Sequence, residues 1–232
     1  MSSSKVAIVT GASHGIGYSI ACELASMGYS LGILSRTADE IGATAHEIES
    51  THAGVKVIAE AFDVSDRAAA LRFISRVERE LGVVSVLVNN AGEYLPGTTK
   101  ASAEQVRRMM EVNYDAATFF VEGVVEGMRR NHSGYIFNIA SVCGVEAYAD
   151  VGAYCASKFA LVGWSQALDK ELAKDGIKVT ALCPSWVYTR LASGSPLKPH
   201  QMIQPDDIAK SVRYLLSLSP AVRVREVVMH CE

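Results

Sequence analysis

Short apolar runs rich in β-branched residues alternate along this chain with stretches in which apolar residues recur at helical spacing. The runs lie at residues 5–10, 30–35, 55–62, 84–89, 135–140, 177–183 and 226–230. Helical spacing occupies 16–27, a stretch to about Thr51, a stretch to about Leu81, a long region from Ser102 toward Asn131, 151–174, and 205–218. Local signals mark the boundaries. Thr37 with Glu40, and Ser102 with Gln105, have capping-box spacing. Ser65 is placed to cap the helix that ends near Leu81, Gly176 to end another, and Pro205 to occupy a first helical position. Strands alternating with helices pair in parallel through right-handed crossovers. Strands that are apolar throughout need cover on both faces. The expected fold is therefore α/β, a doubly wound parallel sheet of about seven strands with helices on both sides. No repeat, low-complexity tract or linker-like stretch interrupts the pattern, so one domain over residues 1–232 is expected.

Composition narrows the function classes. Hydrophobic residues make up 49% and charged residues 20% of the chain, which excludes intrinsic disorder. The formal charge of −3 lacks the basic excess of a nucleic-acid binder. No apolar run approaches membrane-spanning length, and the run at 6–9 is too short for a signal peptide, so no membrane partner and a cytoplasmic address are expected. The cysteines, Cys22, Cys143, Cys155, Cys183 and Cys231, are odd in number and show no C-x-x-C pair. They read as small apolar fillers, with neither a disulfide framework nor a metal site.

Ligands of doubly wound sheets sit beyond the carboxyl ends of the strands. After the first run come Thr10, Gly11, Ala12, Ser13, His14, Gly15, Ile16 and Gly17, opening a helix. The glycines permit a tight turn and close approach of a pyrophosphate, and the helix start offers free N–H groups and a positive dipole. This is a Rossmann-type signal. At the end of the second run a carboxylate would bind the ribose hydroxyl of NAD. Ser35 stands there instead, followed by Arg36, whose planar charge suits a 2′-phosphate. NADP(H) is the expected cofactor. Tyr154 and Lys158 are one helical turn apart and share a face, where an ammonium would lower the tyrosine pKa. Ser141, thirteen residues before Tyr154, ends the fifth run, where its hydroxyl can support a developing oxyanion.

With these motifs the whole chain resembles the short-chain dehydrogenase/reductase family, in style nearest its small carbonyl and sepiapterin-like reductases. The resemblance implies an NADPH-dependent oxidoreductase that reduces a ketone or aldehyde, with a catalytic tetrad of Asn113, Ser141, Tyr154 and Lys158. Tyr154 is the implied general acid. Ser141 orients the substrate oxygen. Asn113, interrupting its helix, holds a water that links the lysine to solvent. Asp63, followed by Val64, either bonds the adenine amine or is an ordinary helix-start acid. Asn89, Ala91 and Gly92 border the adenosine ribose and brace the central strands. His14 stands where NADP-preferring relatives carry a basic residue. Pro184, Val187 and Thr189 hold the nicotinamide, and Ser185 replaces a usual glycine, putting a hydroxyl beside that ring. The terminal segment lacks the aspartate-glycine-glycine run of many relatives.

Substrate choice is expected in a loop over about 189–204, with 142–150 and 93–98. Leu191, Leu197, Met202, Trp186, Tyr94 and Tyr148 either line a pocket or simply pack. A homodimer or homotetramer through helices near 104–130 and 151–174 is expected. Arg107, Arg108, Arg129 and Arg130 either dock an acidic carrier or face solvent. The alternatives are a carrier-linked 3-oxoacyl reductase and a non-catalytic NADP-sensing protein.

Overall fold

The computed structural model of the chain describes residues 5–231; residues 1–4 and Glu232, the two ends of the expected domain, lie outside the described residues. The seven runs form one sheet. Its strands are β1 (Val6–Thr10), β2 (Ser30–Ser35), β3 (Val57–Ala61), β4 (Val86–Asn89), β5 (Gly134–Ile139), β6 (Ile177–Pro184) and β7 (Glu226–Met229). They lie in the order β3-β2-β1-β4-β5-β6-β7, and all pairs are parallel. Order reverses between β1 and β4, which opens a crevice at their carboxyl ends. The glycine turn and the segment after Asn89 face each other across it.

Helices cover both faces. These are α1 (Gly15–Ser26), α2 (Ala38–Thr51), α3 (Arg67–Leu81), α4 (Ala103–Met110), α5 (Ala116–Arg130), α6 (Gly152–Leu172) and α7 (Pro205–Ser217). On one face, α1 packs against α7 over Val9, Ile33 and Phe137. On the other, α3 packs against α5 over Ile8, Leu34, Leu87 and Ile136. Phe73, Phe120 and Phe137 are fully buried; each such side chain contributes roughly 1.5–3 kcal/mol by leaving water. Among the described residues no helix is long and apolar enough to cross a membrane.

Several local expectations need correction. Ser102 and Gln105 do form a capping box. Thr37 occupies its N-cap but makes no side-chain cap bond, and Glu40 turns to Arg190 at 2.8 Å, so no capping box forms there. The α3 cap is Asp66, which accepts the Ala69 N–H at 2.9 Å; Ser65 donates its hydroxyl to Asp63 instead. The long region from Ser102 is two helices separated by a π turn, Glu111–Asp115. Gly176 ends its helix in the left-handed region, at φ 75°.

The C-terminal strand is tied in by charge. The Asp169 carboxylate on α6, 1% exposed, receives Arg223 at 2.5 Å and Arg225 at 3.1 Å, and accepts the Val179 N–H at 3.1 Å. Burial works against ionising Asp169, yet these donors hold its pKa below the usual value. Removing one partner of a buried pair strands the other. Asp169→Asn is expected to lower stability by about 3 kcal/mol, a fall of roughly 6–12 °C in Tm. A thermal melt within experimental scatter of the wild type would contradict this.

Candidate active site

The glycine turn is shaped by backbone need. Gly11 and Gly15 have φ of 65° and 60°, where a Cβ is strained. A Cβ on Gly15 would also press on Thr189 Cγ2 at 3.0 Å, so the segment after β6 closes directly over the turn. At Gly17 a Cβ would overlap the Gly11 carbonyl oxygen, so α1 starts as close to β1 as backbones allow. Asn90 fixes this turn, donating from Nδ2 to the Thr10 and Gly11 carbonyls at 2.9 and 3.1 Å. Thr10 Oγ1 answers by accepting the N–H groups of Asn90 and Ala91, both at 2.9 Å. His14 is the N-cap residue of α1 and makes no side-chain cap bond. The His14 side chain thus takes none of the first-turn N–H groups at Gly15, Ile16 and Gly17; a helix start of this kind can receive an anion.

Around this turn the polar groups are paired. His14 Nδ1 is 2.9 Å from Ser13 Oγ and 3.8 Å from Glu40. Burial first, then the charge of Arg190, pushes the His14 pKa below its ordinary value, so the ring is neutral near pH 7. The Ser35 hydroxyl is used locally, donating to the Thr37 carbonyl at 3.2 Å and accepting the Thr37 N–H at 3.3 Å. Arg36 is exposed and donates from Nη1 to Glu93 Oε1 at 2.7 Å. Asp63 Oδ1 accepts the Ser65 N–H and hydroxyl at 2.9 and 2.7 Å, and Oδ2 accepts Arg108 at 2.7 Å. Burial opposes ionisation, but these donors hold Asp63 down to about 2. Val64 is buried beside it.

Asn89 and Asn138 meet across β4 and β5: Asn89 Nδ2 donates to Asn138 Oδ1 at 2.8 Å, and Asn138 donates to Ser165 Oγ at 2.7 Å. This chain braces the central strands against α6. Gly92 leaves room for the buried groups beyond it, since a Cβ there would lie 3.2 Å from Asn113 Oδ1 and 3.6 Å from Lys158 Nζ.

Asn113, Ser141, Tyr154 and Lys158 are all buried and converge at the carboxyl ends of β4 and β5. The π turn widens the helix and aims the Asn113 carboxamide inward. Its Oδ1 accepts the Glu93 N–H at 2.8 Å, and its Nδ2 donates to the Glu93 carbonyl at 2.9 Å and to Ser157 Oγ at 3.0 Å. Lys158 Nζ donates to the Ile139 carbonyl at 3.0 Å and lies 5.7 Å from the Tyr154 ring centre. Tyr94 meets the Tyr154 ring edge-on at 5.2 Å. Ser141 Oγ accepts the Cys143 N–H at 3.1 Å.

Electrostatics here differ from the simple expectation. Burial pushes the Tyr154 pKa above its ordinary value, with a hydrogen bond to Ser141 pulling the other way. The expected depression by the ammonium is not seen: burial of the phenol dominates, and the Lys158 head group, itself lowered to about 8 by burial, is committed to the Ile139 carbonyl. Tyr154 is therefore a protonated phenol at neutral pH. Nearby thiols are pushed up by burial, Cys143 to about 11 and Cys183 to about 12, so they stay protonated.

After β6, Val187 is buried and bridges Ile203, closing the base of a loop. Thr189 Oγ1 donates to the Val187 carbonyl at 3.3 Å. Ser185 directly follows Pro184, the last residue of β6. Its hydroxyl accepts the Cys231 N–H at 3.0 Å, tying the loop after Pro184 to the C-terminal segment. Tyr148, Trp186, Tyr188 and Leu191 are exposed on the segments that follow β5 and β6.

The short chain dehydrogenase family matches residues 5–198. An uncharacterized oxidoreductase of Staphylococcus saprophyticus is 34% identical over 224 residues, 96% of this chain and 95% of that one.

The chain belongs to the short-chain dehydrogenase/reductase family.

Two solved structures share its architecture. An alcohol dehydrogenase from the archaeon Thermococcus sibiricus, complexed with 5-hydroxy-NADP, has a TM-score of 0.88 and 32% identity, covering 97% of this chain and 95% of its own. A β-ketoacyl-[ACP] reductase from Bacteroides thetaiotaomicron has a TM-score of 0.87 and 36% identity, covering 99% and 97%. In this short-chain dehydrogenase, sequence reasoning passes over Thr10, Asn90 and Ser157, which position the turn and Asn113. Thr10 and Asn90 stand inside the glycine-turn and Asn89–Gly92 motifs, so their placement is the available signal. Glu93 and Arg108 carry no local signal, because their partners are remote in sequence.

Proposed function

We propose that this protein reduces a ketone or aldehyde to an alcohol with NADPH, using Tyr154 as general acid. The observation that carries the reading is the buried Tyr154 phenol gathered with Ser141 and Lys158 at the carboxyl end of the sheet. The residues present fit the dinucleotide: a turn with two left-handed glycines, uncapped N–H groups at the α1 start, and an exposed Arg36 at the β2 end. Likeness to an NADP-complexed alcohol dehydrogenase supports the phosphorylated form. When bound, that cofactor supplies the hydride.

The chain's own residues do the rest. Gly11, Ser13, Gly15, Ile16 and Gly17 bind the pyrophosphate, and Arg36 with His14 meets the 2′-phosphate. Asp63, Val64, Ala91 and Gly92 border the adenosine. Pro184, Val187 and Thr189 flank the nicotinamide. Ser141 donates a hydrogen bond to the substrate carbonyl oxygen, and Tyr154 Oη gives that oxygen its proton as the carbon is reduced. Lys158 and Asn113 return a proton to Tyr154 through water. Val106 on α4 and Phe159 on α6, both exposed, suit a contact between copies of the chain.

Lys158 gives this account a pH signature. Its charge is lost as pH rises through about 8, so kcat/KM for reduction is expected to fall above that value. A profile flat well beyond it would contradict the role. Stability moves oppositely. Unfolded lysine keeps its proton to about 10.4, so between the two values the unfolded state binds more protons and stability rises with pH.

A carrier-linked 3-oxoacyl reductase is the second reading, favoured by 36% identity to the β-ketoacyl reductase. Two of the four arginines weighed for carrier docking are already engaged: Arg108 by Asp63 and Glu93, and Arg129 by Glu126, Glu171 and Asp175. NADPH oxidation by the purified protein over diketones, aromatic aldehydes, ketosteroids, sepiapterin and acetoacetyl thioesters, free and carrier-linked, separates the readings. Turnover of free carbonyls supports the first. Turnover confined to the carrier-linked thioester supports the second. Silence across the panel with NADPH still bound points to the sensing alternative.

A further inference from the structure

We infer that Glu93 limits how tightly this protein holds a 2′-phosphorylated nucleotide, by competing with the phosphate for Arg36. The inference rests on the proposed role of Arg36 in NADPH binding and goes beyond it.

Glu93 follows Gly92 at the end of β4, and it cannot withdraw. Its N–H and carbonyl are both held by the Asn113 carboxamide, at 2.8 and 2.9 Å. Its carboxylate is gripped by two groups of the Arg108 guanidinium, Nε to Oε2 at 3.1 Å and Nη2 to Oε1 at 2.9 Å. Arg108 is itself anchored on Asp63 at 2.7 Å and on the Ser65 hydroxyl at 3.1 Å. The Glu93 side chain is only 21% exposed. Four anchors therefore fix one negative charge at the adenosine end of the crevice.

Arg36 is the loose member of this array. Its side chain is 67% exposed, and among the described residues Glu93 is its one ion partner, at 2.7 Å. A phosphate approaching Arg36 must share or displace that contact, and it approaches a fixed carboxylate as it does so. Like charges at such range repel, so Glu93 weakens the grip on the phosphate. Arg108 is spent on Glu93 and Asp63, and Arg190, the further permanent cation near His14, is committed to Glu40 at 2.8 Å. His14 is neutral and does not make up the difference. A nucleotide without the 2′-phosphate makes no claim on Arg36 and feels neither effect. The consequence is a site that recognises the phosphorylated cofactor yet releases it readily after each turnover.

The experiment is calorimetric titration of the full chain with 2′,5′-ADP and with 5′-ADP, in wild type and Glu93→Gln. The amide keeps a similar shape and retains an oxygen for Arg108. The readout is the ratio of the two dissociation constants, which a general loosening of the pocket does not move. An exposed ion pair is worth up to about 1 kcal/mol, so the preference for 2′,5′-ADP is expected to rise up to about fivefold in Glu93→Gln. In an Arg36→Met background the same change is expected to leave the ratio unaltered. A wild type that prefers 2′,5′-ADP while Glu93→Gln leaves the ratio unchanged or lower overturns the inference alone. A wild type with no preference overturns the NADPH reading and the inference with it. A rise that persists without Arg36 assigns the effect to another group and also overturns it.

Discussion

Tyr154→Phe is expected to lower kcat for carbonyl reduction by roughly 10²–10⁴-fold, the usual contribution of a positioned general acid, while NADPH binding stays near wild type. The substitution removes one oxygen from a buried ring. The ring keeps its edge-on contact with Tyr94 and its place beneath Lys158. Ser141 keeps the Cys143 N–H as a donor to its hydroxyl oxygen. Nothing that shapes the glycine turn or the segment from Pro184 to Thr189 touches that oxygen. The loss should therefore fall on the chemical step, with little change in the dissociation constant for NADPH. Stopped-flow turnover beside fluorescence titration of NADPH checks both halves. Turnover close to wild type would remove Tyr154 from its assigned role.

Arg36→Asp is expected to lower the ratio of kcat/KM for NADPH over NADH by about a thousandfold. Loss of a charged hydrogen bond to the phosphate accounts for about 1.5–3 kcal/mol. The introduced carboxylate repels the phosphate and offers an acceptor to the free ribose hydroxyl of NADH. Together these approach about 4 kcal/mol, which is the thousandfold. Glu93 remains held by Arg108, so the change acts at the β2 end and spares the loop after β4. Steady-state kinetics with both cofactors measures it. A ratio that stays put means that another group reads the 2′-position.

These two residues are legible in the amino-acid sequence because their signals are local. Arg36 follows a strand end where the acid is missing, and Tyr154 stands one helical turn from Lys158. Asn113 is legible for a related reason: an asparagine inside a helix is locally unfavourable, and the fold resolves the conflict with a π turn. The seven strands and most helix ends follow from periodicity and caps. Ser65 against Asp66 is not decided by composition, since both side chains can cap. Asp63 decides it by taking the Ser65 hydroxyl. The contact of the Ser185 hydroxyl with Cys231 has no local signal, because Cys231 is far along the chain. The same distance hides the array of Arg36, Asp63, Glu93 and Arg108, which stand at or just beyond the ends of β2, β3 and β4 and on α4. Pairings of that kind appear only when the sheet order brings strand ends together.

The central claim is that hydride passes from NADPH to a carbonyl carbon at this site. The most direct measurement uses NADPH carrying deuterium at both C4 positions of the nicotinamide, incubated with the best carbonyl substrate, followed by mass analysis of the alcohol. The account predicts one deuterium on the carbinol carbon for each NADPH consumed, with transfer nearly abolished in Tyr154→Phe. NADPH that binds but passes no label to any ketone or aldehyde, or label transfer that is indifferent to Tyr154, would contradict it.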